Sequence, residues 1–437
     1  METDQPTLFS PLARRWIYSH HQLILTLIVL AGIAACARSL TGHTIVDRQL
    51  DSSPWTIAAH LMHGQGYTAC STDYFPLCKP GQPTAMREPV PVFMLAAAMS
   101  VLPSPLSAVL LEMGLYLAVI CLLYFALARE NKLLALAAAA FWAVSVPVME
   151  EIGDASGDLE GAFWVLIGIL LFQRARRTRR VMDWILAGMV MGLAALSRSV
   201  LLAGALLLVI GILLEGSSAT MRTRFKWAVA YGLALCPVLA PWVVRNQIVF
   251  GVPSLGSSLT GYNLFRQSYY AGSLQVPPHF VGSKEGEPVV KALVQSAPPP
   301  VRSNELRMQS FYTRAALRDI LGHPFRYVEL SAFRFVSLWF NSTVKAAYGE
   351  RTGKLDIAQL IQQIFFLCAA LVGAWKHRKW LWPMSLAVLG VTMAYILVIG
   401  QIRYLVEVMP LLAILAASSF LPASTQQEHQ ALALEVR

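Results

Sequence analysis

Charge is scarce in this chain. Lys, Arg, Asp and Glu make up 14% of its 437 residues, where a soluble globular domain carries about 25%. With hydrophobic residues at 56%, that scarcity excludes a disordered chain and argues against an ordinary soluble enzyme. Cysteine is scarce as well. There are six, none in a CxxC or Cys/His spacing, which removes the familiar zinc frameworks. Cys36, Cys121, Cys236 and Cys368 stand in apolar runs and read as small hydrophobes. Cys70 and Cys78 share one polar loop and are expected to pair if that loop faces an oxidising compartment. The sequence lacks repeats and low-complexity tracts, and only the stretch around 281–305 has a disordered composition. A small-residue cleavage site is missing after the first apolar run, so that run is read as a retained anchor rather than a signal peptide.

What the chain has in quantity is apolar runs. They lie near 22–38, 105–128, 133–149, 159–173, 184–197, 199–214, 227–248, 357–375, 380–400 and 405–421. A spanning helix needs roughly 17–25 residues, so the shorter runs are expected to tilt or break. Basic clusters punctuate them: Arg14/Arg15, Arg129/Lys132, Arg174 to Arg180, Arg222/Arg224/Lys226 and Lys376/Arg378/Lys379. The net charge of +10 is therefore read as a positive-inside signature and not as a nucleic-acid footprint. All these clusters share the cytoplasmic face only if each intervening stretch crosses an even number of times. Read as one span, 184–214 would put Arg198 at the hydrocarbon centre, a cost of roughly 2.5–3.5 kcal/mol. Read as a hairpin, it returns Arg198 to the outer surface. The expectation is an all-α polytopic membrane protein of about ten spans with both termini cytoplasmic. Two large outer segments remain, at 39–91 and 249–356, with a short acidic turn at 150–158.

Those outer segments hold the candidate chemistry. In the first, Ile57, Ala58, Leu61 and Met62 make one side of a short helix stopped by Gly64 and Gly66, expected along the membrane surface. Asp47 and Asp51 precede it; Asp51 reads either as a helix cap or as a carboxylate suited to general-base work. His60 and His63 have a spacing that two metal ligands can share, but no third ligand follows a recognised pattern, and no metal site is assigned. Arg87, followed by Glu88 and Pro89, is placed to grip a lipid phosphate, to anchor at the interface or to pair with Glu88.

The turn MEEIGDASGDLEG carries Glu150, Glu151, Asp154, Asp158 and Glu160. It reads as a solvated acidic loop, as a cation site or as a set of arginine partners, with Asp158 the most telling because it opens an apolar span. In the second segment Arg245 and Asn246 end a span, and Tyr262, Asn263, Arg266, Tyr269 and Tyr270 follow. Aromatics among amides and arginines suit sugar faces and phosphate oxygens, and equally an interfacial belt. The stretch HPFRYVELSAFRFVSLWF, with Arg326 and Arg334 at helical spacing, is amphipathic and expected in the interface. Asn341-Ser342-Thr343 fits a glycosylation sequon.

Taken in order, the strings Asp51 to Tyr67, Arg87 to Pro89, Asp158, Gly192 to Arg198, Pro241 to Gly251, Gly261 to Leu264 and Arg403-Tyr404 resemble the polytopic class C glycosyltransferases (GT-C), of the protein-mannosyltransferase and aminoarabinose-transferase kind. The resemblance covers most of the chain. It departs at Trp55 where tyrosine is common, at Asp158 where glutamate is common, and at Glu88 within the R-P-P pattern. It implies transfer of a sugar from a polyprenyl (undecaprenyl) phosphate donor to a lipid, glycan or protein acceptor, at the periplasmic face of a bacterial inner membrane. It implies Asp51 as general base, with Asp158 and Asp47 as alternatives. It implies Arg87, Arg245, Arg266 and Arg403 as candidate phosphate ligands. Trp55, Tyr67, Tyr262, Asn263 and Tyr404 become candidates for the sugar or acceptor. No cofactor follows from the resemblance, although the acidic turn admits a divalent cation. Two other classes compete: a transporter or flippase of lipid-linked sugars, and an O-antigen ligase or polymerase. Polar residues gathered on one face, without paired halves, speak against the transporter.

Overall fold

With so little charge, the apolar runs satisfy their backbone groups internally, and they do so as helices. The computed structural model describes residues 11–41, 54–72, 75, 77–216, 219–272, 287–340 and 354–422. In chain order its helices are α1 (Pro11–Thr41), α2 (Pro54–Met62), α3 (Pro89–Val101), α4 (Leu106–Ala128), α5 (Lys132–Ala143), α6 (Val146–Glu150), α7 (Asp158–Thr178), α8 (Val181–Ser197), α9 (Leu201–Leu214) and α10 (Met221–Phe250). There follow α11 (Leu259–Gly272), α12 (Glu287–Ser296), α13 (Pro299–Arg302), α14 (Glu305–Gly322), α15 (Pro324–Phe340), α16 (Lys354–Lys376) and α17 (Arg378–Val398). A 3₁₀ segment, Ile402–Val408, leads into α18 (Met409–Ser418). Among the described residues the only β-pairing is one isolated bridge, Thr68 to Pro83.

Among the described residues five helices are long and apolar enough to cross a membrane: Trp16–Ala37, Leu106–Ala128, Met221–Phe250, Ile357–Lys376 and Arg378–Val398. Shorter apolar helices, Pro89–Val101, Lys132–Ala143, Val181–Ser197 and Leu201–Leu214, accompany them. Large apolar side chains on the long helices face outward, among them Leu233 and Ile248 on α10 and Leu371 and Trp375 on α16. An apolar exterior over a packed interior is what a lipid solvent requires. The chain is an all-α membrane protein.

The run 184–214 is two helices, α8 and α9, broken at Arg198. Other runs are broken too. Residues 133–149 divide into α5 and α6, where Pro147 restarts the chain, and 405–421 begins in the 3₁₀ segment. Of the stretch around 281–305, the described residues 287–305 depart from the disordered composition and hold α12 and α13. Val290 and Val294, one turn apart, are buried with Phe265, Met308 and Tyr312, and that burial orders the segment.

Contacts at the helix connections define one end of the bundle. Arg176 meets Glu215 at 2.6 Å and the Trp380 carbonyl at 3.2 Å, so the ends of α7, α9 and the start of α17 lie together. Arg177 pairs with Glu130 after α4, and Arg224 donates to the Glu215 carbonyl at 2.7 Å. Lys376 donates to the Ser419 carbonyl at 2.9 Å, and Lys132 Nζ lies 3.5 Å from His21 Nδ1. Four basic connections, the beginning of α1 and the end of α18 thus share this end. Between the two ends, Phe172 packs edge-on to Trp184 at 5.0 Å and Trp184 stacks on Trp227 at 5.6 Å. Close approach is needed there: a Cβ on Gly188 would meet the Tyr231 carbonyl oxygen at 2.2 Å.

Candidate functional site

At the opposite end lies a cavity of about 390 Å³ whose walls come from five places in the chain. Arg87 and Glu88 precede α3, and Arg198 to Val200 form the α8–α9 break. The start of α11 gives Tyr262, Asn263 and Arg266, the last turns of α17 give Ala394, Tyr395 and Val398, and Arg403 and Tyr404 come from the 3₁₀ segment.

The segment carrying Arg87 is fixed from several directions. The Tyr67 hydroxyl lies 2.9 Å from the Arg87 carbonyl and 3.2 Å from that of Glu88. Burial, and then the Glu88 charge, hold the Tyr67 phenol well above its usual range, so it remains a donor. Arg245 donates to the Thr84 carbonyl at 2.8 Å and to the Tyr67 carbonyl at 3.4 Å. Its guanidinium also sits over the Trp242 ring at 4.9 Å. Glu305, at the first turn of α14, accepts from Thr84 Oγ1 at 3.0 Å and from the Ala85 amide at 2.9 Å, and also from Ser258 Oγ. Burial raises the Glu305 pKa against these hydrogen bonds. Glu88 itself accepts from Ser199, at 3.2 Å from the amide and 2.9 Å from Oγ, which ties α3 to the start of α9. An arginine presented on so constrained a backbone needs little ordering when it meets an anion.

Beside the cavity a buried ion network spans four elements. Arg198 lies 3.0 Å from Asp158 and 2.9 Å from Glu407, both fully buried, and the Tyr395 hydroxyl donates to Glu407. Gly157 makes this possible: at φ +93° it turns the chain into α7, and a Cβ there would meet Pro91 at 2.9 Å. Ser156 Oγ lies 2.9 Å from Asp158 Oδ2 and 3.0 Å from Glu151 Oε2. Burial, and then Asp158, raise the Glu151 pKa well above the carboxylate range. Arg403 approaches Asp154 at 3.5 Å. Burial opposes its charge, but Tyr404, Asp158 and Glu151 outweigh that and hold it above the ordinary arginine range. Arg198 and Arg403 both lie over the Tyr404 ring, at 5.5 and 5.2 Å, and Tyr404 stacks on Tyr395 at 4.6 Å.

Of the residues singled out in the sequence, Arg87, Arg266, Arg403, Tyr262, Asn263 and Tyr404 come together as cavity lining. Tyr67 and Arg245 support that lining from behind. Trp55 packs beside Ile57 and Val92, against α3. Asp158 is enclosed by Arg198 and Ser156. Asp47, Asp51 and the sequon Asn341-Ser342-Thr343 lie outside the described residues. Cys70 and Cys78 are joined as a disulfide with Cα atoms 5.5 Å apart, beside a smaller cavity of about 170 Å³. Among the described residues no cluster of three or more His, Cys, Asp or Glu is arranged to hold a metal. Sequence reasoning passed over Glu407, Tyr395 and the pairing of Arg198, and offered Glu88 only as a partner of Arg87, whereas it accepts from Ser199. Glu407 carried a usable signal, being a lone carboxylate inside the apolar string YLVEVMPLL.

No protein-family model matches the chain, and no curated protein sequence matches it.

Proposed function

We propose that this protein is a membrane glycosyltransferase of GT-C type, with about ten spans, that takes a sugar from a polyprenyl phosphate. One observation carries the reading. Arginines and the apolar end of a spanning helix line the same cavity: Arg87, Arg266 and Arg403 with Ala394, Val398 and Ile399. That combination suits an amphiphile whose anionic head meets guanidinium groups and whose chain leaves along α17 into lipid. Tyr262 and Asn263 supply an aromatic ring and an amide of the kind that bind sugars.

The basic end of the bundle is then cytoplasmic and the cavity lies at the outer, periplasmic face. In the reaction, an acceptor oxygen bonds to the anomeric carbon and the carbon–oxygen bond to phosphate breaks. The phosphate departs on its lipid, its charge met by Arg87 and Arg266, while the acceptor proton passes to Asp51. Arg198 stays between Asp158 and Glu407 and positions the wall. The acceptor is a lipid, glycan or protein hydroxyl.

The test is turnover by purified protein in nanodiscs supplied with polyprenyl-phosphate sugars. Release of polyprenyl phosphate with transfer to an acceptor is the expected result. Asp51→Asn should retain donor binding and lower turnover by about 10²-fold or more. Movement of the intact lipid-linked sugar across a vesicle, without bond cleavage, would mark a flippase instead.

A further inference from the structure

Helix α15 has its polarity inside out. Its buried side carries Tyr327, Ser331, Arg334 and Ser337 beside Leu330 and Leu338, with Arg334 fully enclosed. Its exposed side carries Phe325, Val328, Ala332, Phe335 and Val336. At about 100° per residue these five fall within an arc of roughly 100° and the four buried polar residues fall opposite, while Trp339 in the last turn lies within the arc and is buried. Phe325 is 90% and Val328 67% exposed. In water this arrangement would be unfavourable on both counts, leaving apolar area wet and a cation dry. It becomes favourable when the solvent outside the helix is hydrocarbon.

The position of α15 says which solvent it meets. The Tyr327 hydroxyl donates to the Leu397 carbonyl, and Arg334 Nη1 donates to the Ile396 carbonyl at 3.3 Å. Both carbonyls belong to the last turn of α17, a helix long and apolar enough to span. Arg334 Nη2 donates to the Gln267 carbonyl of α11 at 2.9 Å. Helix α15 therefore packs against the end of a helix whose Leu389, Met393 and Leu397 are themselves exposed. Arg326 and Glu329, paired at 2.6 Å, stand at the edge of the exposed apolar stripe, where charged groups mark a membrane boundary.

We infer that α15 lies embedded in one leaflet, with acyl chains covering Phe325, Val328, Ala332, Phe335 and Val336. Its inner polar side ties α11 to α17, the helices that form two walls of the cavity. This inference stands apart from the glycosyltransferase reading, because it needs only the membrane and the helix.

Site-directed spin labelling tests it. In full-length protein in liposomes, with Cys36, Cys121, Cys236 and Cys368 replaced by serine and the Cys70–Cys78 bridge kept, single cysteines are placed as Phe325→Cys, Val328→Cys, Phe335→Cys and Glu329→Cys. Labels at 325, 328 and 335 should collide several-fold more with oxygen than with a water-soluble nickel chelate, and 329 should show the smaller ratio. Equal access of nickel to all four would overturn the inference. Spin–spin broadening at 325 or 328 would overturn it as well, since a second copy would then cover the stripe. If the exchanges at the four native cysteines impair folding, quenching of tryptophan in Phe325→Trp by brominated lipid, over the wild-type background, decides the same question.

Discussion

Two arginines of similar sequence setting behave differently once their partners are named. Arg198 sits between two fully buried carboxylates, at 3.0 and 2.9 Å. Arg198→Ala would remove the ion-pair partner that buried Asp158 and Glu407 share, a loss of about 3–5 kcal/mol. Thermal unfolding in detergent should show the variant unfolding at much lower temperature or failing to accumulate. Arg245 is a backbone clamp, bonded to the carbonyls of Thr84 and Tyr67. Arg245→Ala should lower stability by about 1.5–3 kcal/mol, the worth of hydrogen bonds to a charged group. It should weaken the donor only indirectly, so Arg245→Lys, which keeps the charge and loses the fork, should resemble Arg245→Ala in the unfolding assay. The sequence made the arginines visible but not their duties. Which of them faces a ligand depends on backbone carbonyls contributed by residues more than a hundred positions away.

Elements account for most of what could be read in advance. The α8–α9 break was legible because a lone Arg198 in apolar surroundings forces the chain to turn or to find partners. In the fold it does both, since Arg198 stands at a helix end and is also buried. The disorder expected of 281–305 does not hold over 287–305 for a physical reason: α12 is buried in one cluster with Phe265, Met308 and Tyr312, which local composition does not reveal. Helix contacts give a direct prediction at Gly188, where a Cβ would collide with the Tyr231 carbonyl oxygen. Gly188→Ala should separate α8 from α10 and cost about 1–3 kcal/mol, measured as a fall in unfolding temperature.

The α6–α7 turn gives a pH dependence. Glu151 has a folded pKa raised well above its ordinary value by burial and by Asp158. Its contribution to stability is therefore complete below the unfolded value of about 4.3 and is lost as pH rises through the raised folded value. Unfolding temperature should fall over that window, and Glu151→Gln should flatten the fall.

For the whole molecule, composition alone sufficed to assign the class, and the basic clusters sufficed to say which helix connections share an end. Contacts such as Arg176 with Glu215 and with the Trp380 carbonyl bring those connections together. The cavity was legible only in part, since Glu88, Tyr395 and Glu407 acquire meaning when α3, α9, α17 and the 3₁₀ segment converge. The central claim is that this convergence builds a site for a phosphate carried on a lipid chain. Its most direct test is equilibrium binding in nanodiscs of polyprenyl phosphate and of uncharged polyprenol, to wild type, Arg87→Ala and Arg266→Ala. The account predicts that wild type prefers the phosphate and that each substitution lowers its affinity about 10–100-fold, the loss of a charge-assisted contact, with polyprenol unchanged. Equal affinity of wild type for the two lipids, or equal weakening of both by the substitutions, would contradict it.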